Sequence, residues 1–154
     1  MAKRESKQAR PTEEAFDKFA RELQQELIDE ELREYNERIV ELFHDPPNHG
    51  KLAVDGVLEH SYLGPCGDQM TFFLVIKDGT IEKVNFVTTG CGASVVAGAQ
   101  ATLLAEGKTI AEALKIEAAT IDDALDGLPA DHKHCAELAA RTLHQALQKH
   151  VSGR

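Results

Sequence analysis

Residues 70–88, MTFFLVIKDGTIEKVNFVT, decide how the middle of the chain folds. Met70 to Lys77 is rich in Phe, Val and Ile and predicts a β-strand, and Ile81 to Thr88 predicts the strand that returns beside it. Asp78-Gly79 between them is a strong hairpin signal. A hairpin brings its two open ends together, so the segments that enter and leave it are predicted to be neighbours in space.

Both of these segments carry a cysteine in a stretch that favours a turn. Gly64-Pro65-Cys66-Gly67-Asp68 leads into the hairpin, and Thr89-Gly90-Cys91-Gly92 follows it. We therefore expect Cys66 and Cys91 to lie close together. The third and last cysteine of the chain, Cys135, follows much later. The pattern predicts a site built from three loops at one end of a small domain.

The remaining elements indicate the α+β class. A first strand is predicted over Val57 to Leu63, so the sheet has three strands and is mainly antiparallel. Helices are predicted after the sheet, over Ala93 to Ala105, Ile110 to Leu114, Ile121 to Leu125 and His134 to His150. The order of one helical region, three strands and then helices predicts helices packed on one face of the sheet.

A long amphipathic helix, or two helices, is predicted before the sheet. Pro11-Thr12-Glu13-Glu14 is typical of a helix start, with Thr12 as the capping residue. An apolar stripe at helical spacing follows, formed by Phe16, Phe19, Leu23, Leu27, Leu32, Tyr35, Ile39, Leu42 and Phe43. The stripe either packs on its own domain or docks a second copy or a partner. We assign residues 1–34 to a tail and helical extension, and residues 35–150 to the domain.

The composition excludes several classes of protein. The 154-residue chain is 42% apolar, which suffices for one core, and its net charge of −9 repels phosphate backbones, so nucleic acid is not an expected partner. No stretch is apolar enough to span a bilayer, and no secretory signal is recognisable. Three cysteines cannot all pair with one another. Free thiols or metal ligands in a reducing, cytoplasmic compartment are therefore expected.

The surroundings of the cysteines predict metal-binding or reactive thiols. Cys91 precedes one predicted helix and Cys135 lies near the start of another, and both positions favour the thiolate. Asp68 can face the same side as Cys66, and His134 is the histidine predicted to be a ligand. Such donors suit zinc or an iron–sulfur cluster, whereas the alternative is three small buried apolar residues. The chain has no Cys-x-x-Cys pair, so neither a zinc finger nor a thioredoxin-type redox pair is indicated. It also has no phosphate-binding glycine loop and no serine-nucleophile motif.

Three motifs in order resemble the IscU/NifU-type iron–sulfur cluster assembly scaffolds. They are Pro65 to Asp68, Thr89 to Ser94, and His134-Cys135, and the resemblance extends from about Tyr35 to Leu147. It implies a scaffold rather than an enzyme, in an α+β fold with the site at one tip.

The resemblance also implies a cargo and partners. Cys66, Cys91 and Cys135 would hold a transient [2Fe–2S] cluster, with Asp68 or His134 as the fourth ligand and zinc as an alternative occupant. A cysteine desulfurase would deliver sulfur, with Cys135 as the candidate persulfide acceptor. Iron and electron donors would complete the cluster, and apo iron–sulfur proteins would receive it. The alternative function is a zinc-bound sulfur acceptor that stimulates the desulfurase.

The chain departs from the resembled pattern in two places. Scaffolds served by an Hsp70-type chaperone typically carry Leu-Pro-Pro-Val-Lys-x-His-Cys, whereas here His132 replaces that lysine and Lys133 follows it. This difference weighs against recognition by the chaperone, and His132 is predicted to lie behind the ligands. Residues 1–34 have no counterpart in a minimal scaffold, and we predict that they mediate self-association or partner docking.

Overall fold

The computed structural model describes residues 12–153. The predicted tail up to Pro11 lies outside the described residues, as does the side chain of Leu32. The chain divides into two compact units, Met1–Glu34 and Tyr35–Arg154. In the first unit, helix α1 spans Glu13–Glu34.

Helix α1 begins as predicted and exposes its apolar stripe. The Thr12 hydroxyl accepts a hydrogen bond from the Ala15 N–H at 3.2 Å and so caps the helix. Four large apolar side chains of this helix are between 46% and 61% exposed, namely Phe16, Phe19, Leu23 and Leu27. Their role in self-association or partner docking stays a prediction.

The second unit is built on the predicted three-stranded sheet. Strands β1 (Leu58–Leu63), β2 (Gln69–Lys77) and β3 (Thr80–Thr88) pair antiparallel in the order β1-β2-β3. The tight turn between β2 and β3 has positive φ at both central residues, 52° at Asp78 and 75° at Gly79. This geometry matches the twist of the two strands and confirms the hairpin.

Helices cover one face of this sheet, as predicted. Helix α2 (Glu37–His44) precedes the sheet, and α3 (Gly92–Ala105), α4 (Ile110–Ala113), α5 (Ala118–Ala124) and α6 (Lys133–Ser152) follow it. Helix α3 packs on β3, and α6 packs on β1 and β2. A 3-10 turn at Ala130–His132 leads into α6. Within residues 12–153, no helix combines the length and the apolar character needed to cross a membrane.

The core lies between the sheet and α3 and α6. Strand β2 contributes Met70, Phe72 and Leu74, all fully buried. Helix α3 approaches β3 very closely, since a Cβ added at Gly98 would lie 2.6 Å from Cε2 of Phe86. The small residues of α3 therefore serve close packing, and this packing fixes where the start of the helix lies relative to the sheet.

Two polar side chains tie the segments around α5 to their neighbours. The Asn36 side chain accepts from the Ile39 N–H at 3.0 Å, capping α2, and donates to the Leu125 carbonyl at 2.8 Å. The Asp122 carboxylate accepts from the Leu128 N–H at 2.7 Å and from Lys133 Nζ at 2.9 Å. These bonds fix the segment that leads from α5 into α6.

Candidate metal centre

The open end of the hairpin collects the three cysteines in two sets of donors. Cys66 lies in the loop between β1 and β2, Cys91 is the N-cap residue of α3, and Cys135 lies in the first turn of α6. The donor atoms of Cys66, Asp68 and His134 lie within 4.8 Å of one another, and we call this set the outer triad. The donors of Cys91, His132 and Cys135 meet the same limit and form the inner triad.

The outer triad is held by a short, glycine-bounded loop. The Gly64 N–H donates to the Asp68 carbonyl at 2.8 Å, and the Gly67 N–H donates to the Gly64 carbonyl at 3.0 Å. Gly67 has φ of +90°, a conformation that residues with a Cβ rarely adopt. Cys66 and His134 are exposed. The outer triad is therefore open to solvent and to partners.

A groove of about 600 Å³ opens beside the outer triad. Cys66 and His134 line it together with side chains of β1 and α6, among them Tyr62 and Arg141. Arg141 Nη1 donates to the Tyr62 hydroxyl at 3.2 Å. The groove gives a route from solvent to the Cys66 thiol.

The inner triad reaches into the core. Cys91 is exposed, His132 is half-buried and Cys135 is 0% exposed. The Ser94 hydroxyl, in the first turn of α3, donates to Cys135 Sγ at 3.5 Å. The sulfurs of Cys91 and Cys135 lie within 4.8 Å of each other. The two helix starts thus bring both sulfurs to one point.

The two triads touch each other. His134 Nε2 of the outer triad lies 3.6 Å from Cys135 Sγ of the inner triad. A Cβ added at Gly90 would lie 3.0 Å from Asp68 Cγ and 2.8 Å from Ser94 Cβ, so the loop that carries Cys91 is packed against both sets. All five predicted site residues therefore lie in one cluster of donors.

The prediction of a thiolate-favouring setting at Cys135 is wrong. Burial raises the pKa of the Cys135 thiol to about 11; the hydrogen bond from Ser94 opposes this rise, whereas Cys91 and Asp68 add to it. Lys133, the adjacent cation, donates to Asp122 instead. A bound metal would favour the thiolate of Cys135 over the thiol, because a coordinated thiol is deprotonated.

Several residues of the site were not predicted from the sequence. His132 was expected behind the ligands, but one of its ring nitrogens lies within 4.8 Å of the sulfurs of Cys91 and Cys135. Ser94 lies three positions after Cys91, on the buried side of α3, and this spacing is the signal that could have identified it. Asp122 supports the start of α6 from another helix, which no local pattern indicates.

The chain is similar to known iron–sulfur assembly proteins over most of its length. Residues 34–153 match the family described as NifU-like N terminal domain. The chain is 42% identical over 115 residues to the iron-sulfur cluster assembly scaffold protein IscU 1 of Archaeoglobus fulgidus, covering 73% of this chain and 74% of that protein. It is 33% identical over 120 residues to the scaffold protein IscU of Aquifex aeolicus, covering 77% and 76%.

Solved structures share the fold. A NifU-like N-terminal protein from Brucella abortus superposes with a TM-score of 0.60 at 17% identity, covering 80% of this chain and 98% of that chain. A putative scaffold protein for the SUF system from Fervidobacterium islandicum gives a TM-score of 0.57 at 24% identity, covering 75% and 98%. Since the family match spans residues 34–153 and the two scaffold proteins exceed 30% identity, the chain belongs to the family of NifU-like N-terminal domains, which confirms the predicted resemblance.

Proposed function

We propose that the chain is a scaffold that assembles a [2Fe–2S] cluster and passes it to apoproteins, and that it is not an enzyme. The observation that carries this proposal is the meeting of three thiols, a carboxylate and an imidazole at the open end of the hairpin. Family membership supports it, because the relatives in Archaeoglobus and Aquifex carry the name of cluster assembly scaffold.

In this proposal the cluster is cargo held by thiolates. Cys66, Cys91 and Cys135 supply three of the four terminal ligands of a [2Fe–2S] cluster, and Asp68 or His134 supplies the fourth. Exposed Cys66 and a ligand other than thiolate both favour release, because solvent access and incomplete thiolate ligation weaken retention.

Sulfur transfer follows the chemistry of thiol–disulfide exchange. A scaffold thiolate attacks the outer sulfur of a persulfide on a cysteine desulfurase; a new S–S bond forms, the donor's S–S bond breaks, and the donor cysteine leaves as a thiolate. Each transferred sulfur then needs two electrons to become sulfide. Two ferrous ions that become ferric supply two of the four electrons, so an electron donor supplies the other two. The proposed partners are therefore a desulfurase, iron and electron donors, and apo acceptor proteins.

Cys135 stays the proposed persulfide acceptor. Its sulfur is buried, so the surrounding chain has to open before a donor reaches it. Burial would then shield the bound persulfide from thiols in solution. The site would work in a reducing, cytoplasmic compartment, which the three unpaired cysteines support.

A second candidate function has an observation in its favour. Two thiols and an imidazole, as in the inner triad, are a donor set typical of zinc. The chain would then be a zinc-bound sulfur acceptor that stimulates a desulfurase. An Hsp70-type chaperone is not among the partners we favour, because His132 interrupts the segment that such chaperones recognise in the resembled proteins.

Anaerobic reconstitution tests the proposal. The chain is incubated with ferrous iron, cysteine and a desulfurase, and visible absorption, bound iron and acid-labile sulfide are measured. We expect sulfide-to-iron charge-transfer bands that are lost in Cys66→Ala and kept in Ser61→Ala, a control whose hydroxyl contacts Thr71 between two strands. Stimulation of the desulfurase with only zinc bound would favour the second function. If neither response is observed, the result would favour an adaptor that acts through its N-terminal helix.

A further inference from the structure

The His132 ring lies beside the sulfurs of Cys91 and Cys135, where a metal ligand would have to lie. It ends the 3-10 turn before α6, and its backbone N–H donates to the Pro129 carbonyl at 2.8 Å. One ring nitrogen lies within 4.8 Å of the sulfurs of both Cys91 and Cys135. The three donors come from two helix starts and the turn between α5 and α6, so the fold places them together.

One nitrogen of the His132 ring is buried and has no partner. Nδ1 has no hydrogen bond, and in the described part of the chain only His150 Nε2 shares this state. A buried polar atom without a partner destabilises the folded state, so it calls for an explanation. A metal ion between the imidazole and the two thiols would satisfy it.

The other nitrogen and the ring faces are oriented by neighbours. Nε2 lies 3.8 Å from a carboxylate oxygen of Asp131. The ring centroid lies 6.1 Å from that of Tyr35 and 6.3 Å from that of His134. Histidines that bind metals usually present their second nitrogen to a carboxylate or a carbonyl, which fixes the ring. Because Nδ1 is the ring nitrogen that is buried without a partner, we assign the ion to Nδ1.

The spacing and chemistry of the inner triad fit a small divalent ion. Tetrahedral zinc with Zn–S bonds of about 2.3 Å places two sulfurs about 3.8 Å apart. The donors here lie within 4.8 Å of one another, so each pair has to close by at most about 1 Å. Two thiolates and one imidazole select soft ions of the first transition row, and they leave a fourth position open.

We propose that His132 is a metal ligand and forms, with Cys91 and Cys135, a site for a single Zn²⁺ or Fe²⁺ ion. The site shares Cys91 and Cys135 with the proposed cluster site and does not use the donors of the outer triad. Where the chaperone-served scaffolds carry lysine, this chain carries an imidazole, so the proposed ligand comes from this chain's own sequence. The inference rests on the proposed function because it adds a ligand to the same site, but its test needs neither cluster nor desulfurase.

Cobalt titration tests the site directly. Co²⁺ is added anaerobically to the reduced full chain, and thiolate-to-cobalt charge transfer and the ligand-field bands of tetrahedral cobalt are recorded. We expect one Co²⁺ per chain, and at least a tenfold weaker affinity in His132→Asn. His150→Asn is the matched control, because it removes the other unpartnered ring nitrogen, about 27 Å further along α6. Its affinity should equal that of the wild type.

Two further measurements distinguish loss of a ligand from poor folding of His132→Asn. His132→Cys replaces the imidazole with a thiolate, so it should restore tight binding and strengthen the charge-transfer band even if His132→Asn folds poorly. X-ray absorption of the zinc-loaded chain should show an imidazole that is lost in His132→Asn and kept in His150→Asn. Unchanged cobalt affinity and imidazole scattering in His132→Asn, or loss of both in His134→Asn alone, would overturn the proposal.

The cluster proposal and the His132 proposal fail separately. A chain that binds Co²⁺ through His132 but assembles no cluster keeps this site and refutes the scaffold proposal. If instead cluster assembly and cobalt affinity are both unchanged when His132 is replaced, that result would support the scaffold proposal and refute the His132 site.

Discussion

The outer and inner triads carry similar donors in opposite surroundings. The outer triad places two exposed groups beside an open groove: a thiol on a loop bounded by glycines and an imidazole from the first turn of α6. The inner triad ends at Cys135, which is fully buried beneath the Ser94 hydroxyl. The difference teaches that one cluster of donors can combine an exposed side, where a bound metal or cluster can be exchanged, with a buried side that retains it.

The sharpest way to break this comparison is to measure thiol reactivity. Cys66 and Cys91 should react with iodoacetamide at pH 8 at least about 30-fold faster than Cys135 in the metal-free chain. The raised Cys135 pKa of about 11 lowers its thiolate fraction, and burial hinders access, while the greater nucleophilicity of a more basic thiolate offsets part of the difference. Peptide mass spectrometry after timed quenching measures the three rates. In urea the rates should converge. Equal rates for Cys66 and Cys135 in the folded chain would remove the contrast between the exposed thiol of the outer triad and the buried thiol of the inner triad.

Substitution at the contact between the triads should have the next largest effect. In Gly90→Ala the new Cβ would crowd Asp68 and Ser94, at 3.0 Å from Asp68 Cγ. We expect at least a tenfold lower retention of iron and sulfide after gel filtration. Gly56→Ala, before β1, is the control, since a Cβ there meets nothing within 4 Å and only the backbone, at φ of +78°, is strained, by about 1–2 kcal/mol. If Gly90→Ala retains as much iron as the wild type, the two triads are not coupled through this loop.

A smaller effect is expected from the support of the inner triad. Asp122→Asn should lower the free energy of unfolding by about 1–2 kcal/mol at pH 7, because the carboxylate accepts from Leu128 and Lys133. These bonds lower the pKa of Asp122 below 3.8, with Leu128 the larger cause. Its stabilisation is therefore present above pH 3.8 and is lost as the pH falls through the lowered value.

Urea unfolding from pH 7 down to pH 3 measures this dependence. The difference between the wild type and Asp122→Asn should shrink toward the acid end. Asp123→Asn, an exposed neighbour, should show no such change. A constant difference across the range would assign the stabilisation to packing rather than to the carboxylate charge.

The smallest effect on the triads is expected from the N-terminal helix. Deleting residues 1–30 should change the oligomeric mass or the affinity for a desulfurase, because the apolar stripe of α1 is exposed. Cobalt affinity at the inner triad should stay the same. Light scattering and a desulfurase pull-down measure the first two quantities. If neither changes, the proposed role of the extension is wrong.

Local patterns predicted the frame and the positions of the thiols. The Asp78-Gly79 turn predicted the hairpin, and the hairpin places Cys66 and Cys91 at the same end of the sheet. Helix starts at Thr12 and after Cys91 followed from capping preferences and side-chain periodicity. These features depend on residues close in sequence, so a single chain reveals them.

The environment of each donor could not be predicted in the same way. Cys135 follows charged and polar residues in sequence, yet α6 packs its sulfur into the core and raises its pKa. The unpartnered Nδ1 of His132 depends on how the turn before α6 seats the ring. Burial and orientation arise from packing between distant segments, and sequence spacing alone does not specify them.

The glycine contact between α3 and β3 has a consequence for amide hydrogen exchange. A helix that lies within reach of Phe86 at Gly98 cannot separate from the sheet without opening the core, so its amides should exchange only on global unfolding. The loop at residues 64–68 has no such anchor beneath Gly67, and its amides should exchange through local fluctuations. Cargo could then leave through the loop while the framework that holds Cys91 keeps its native protection.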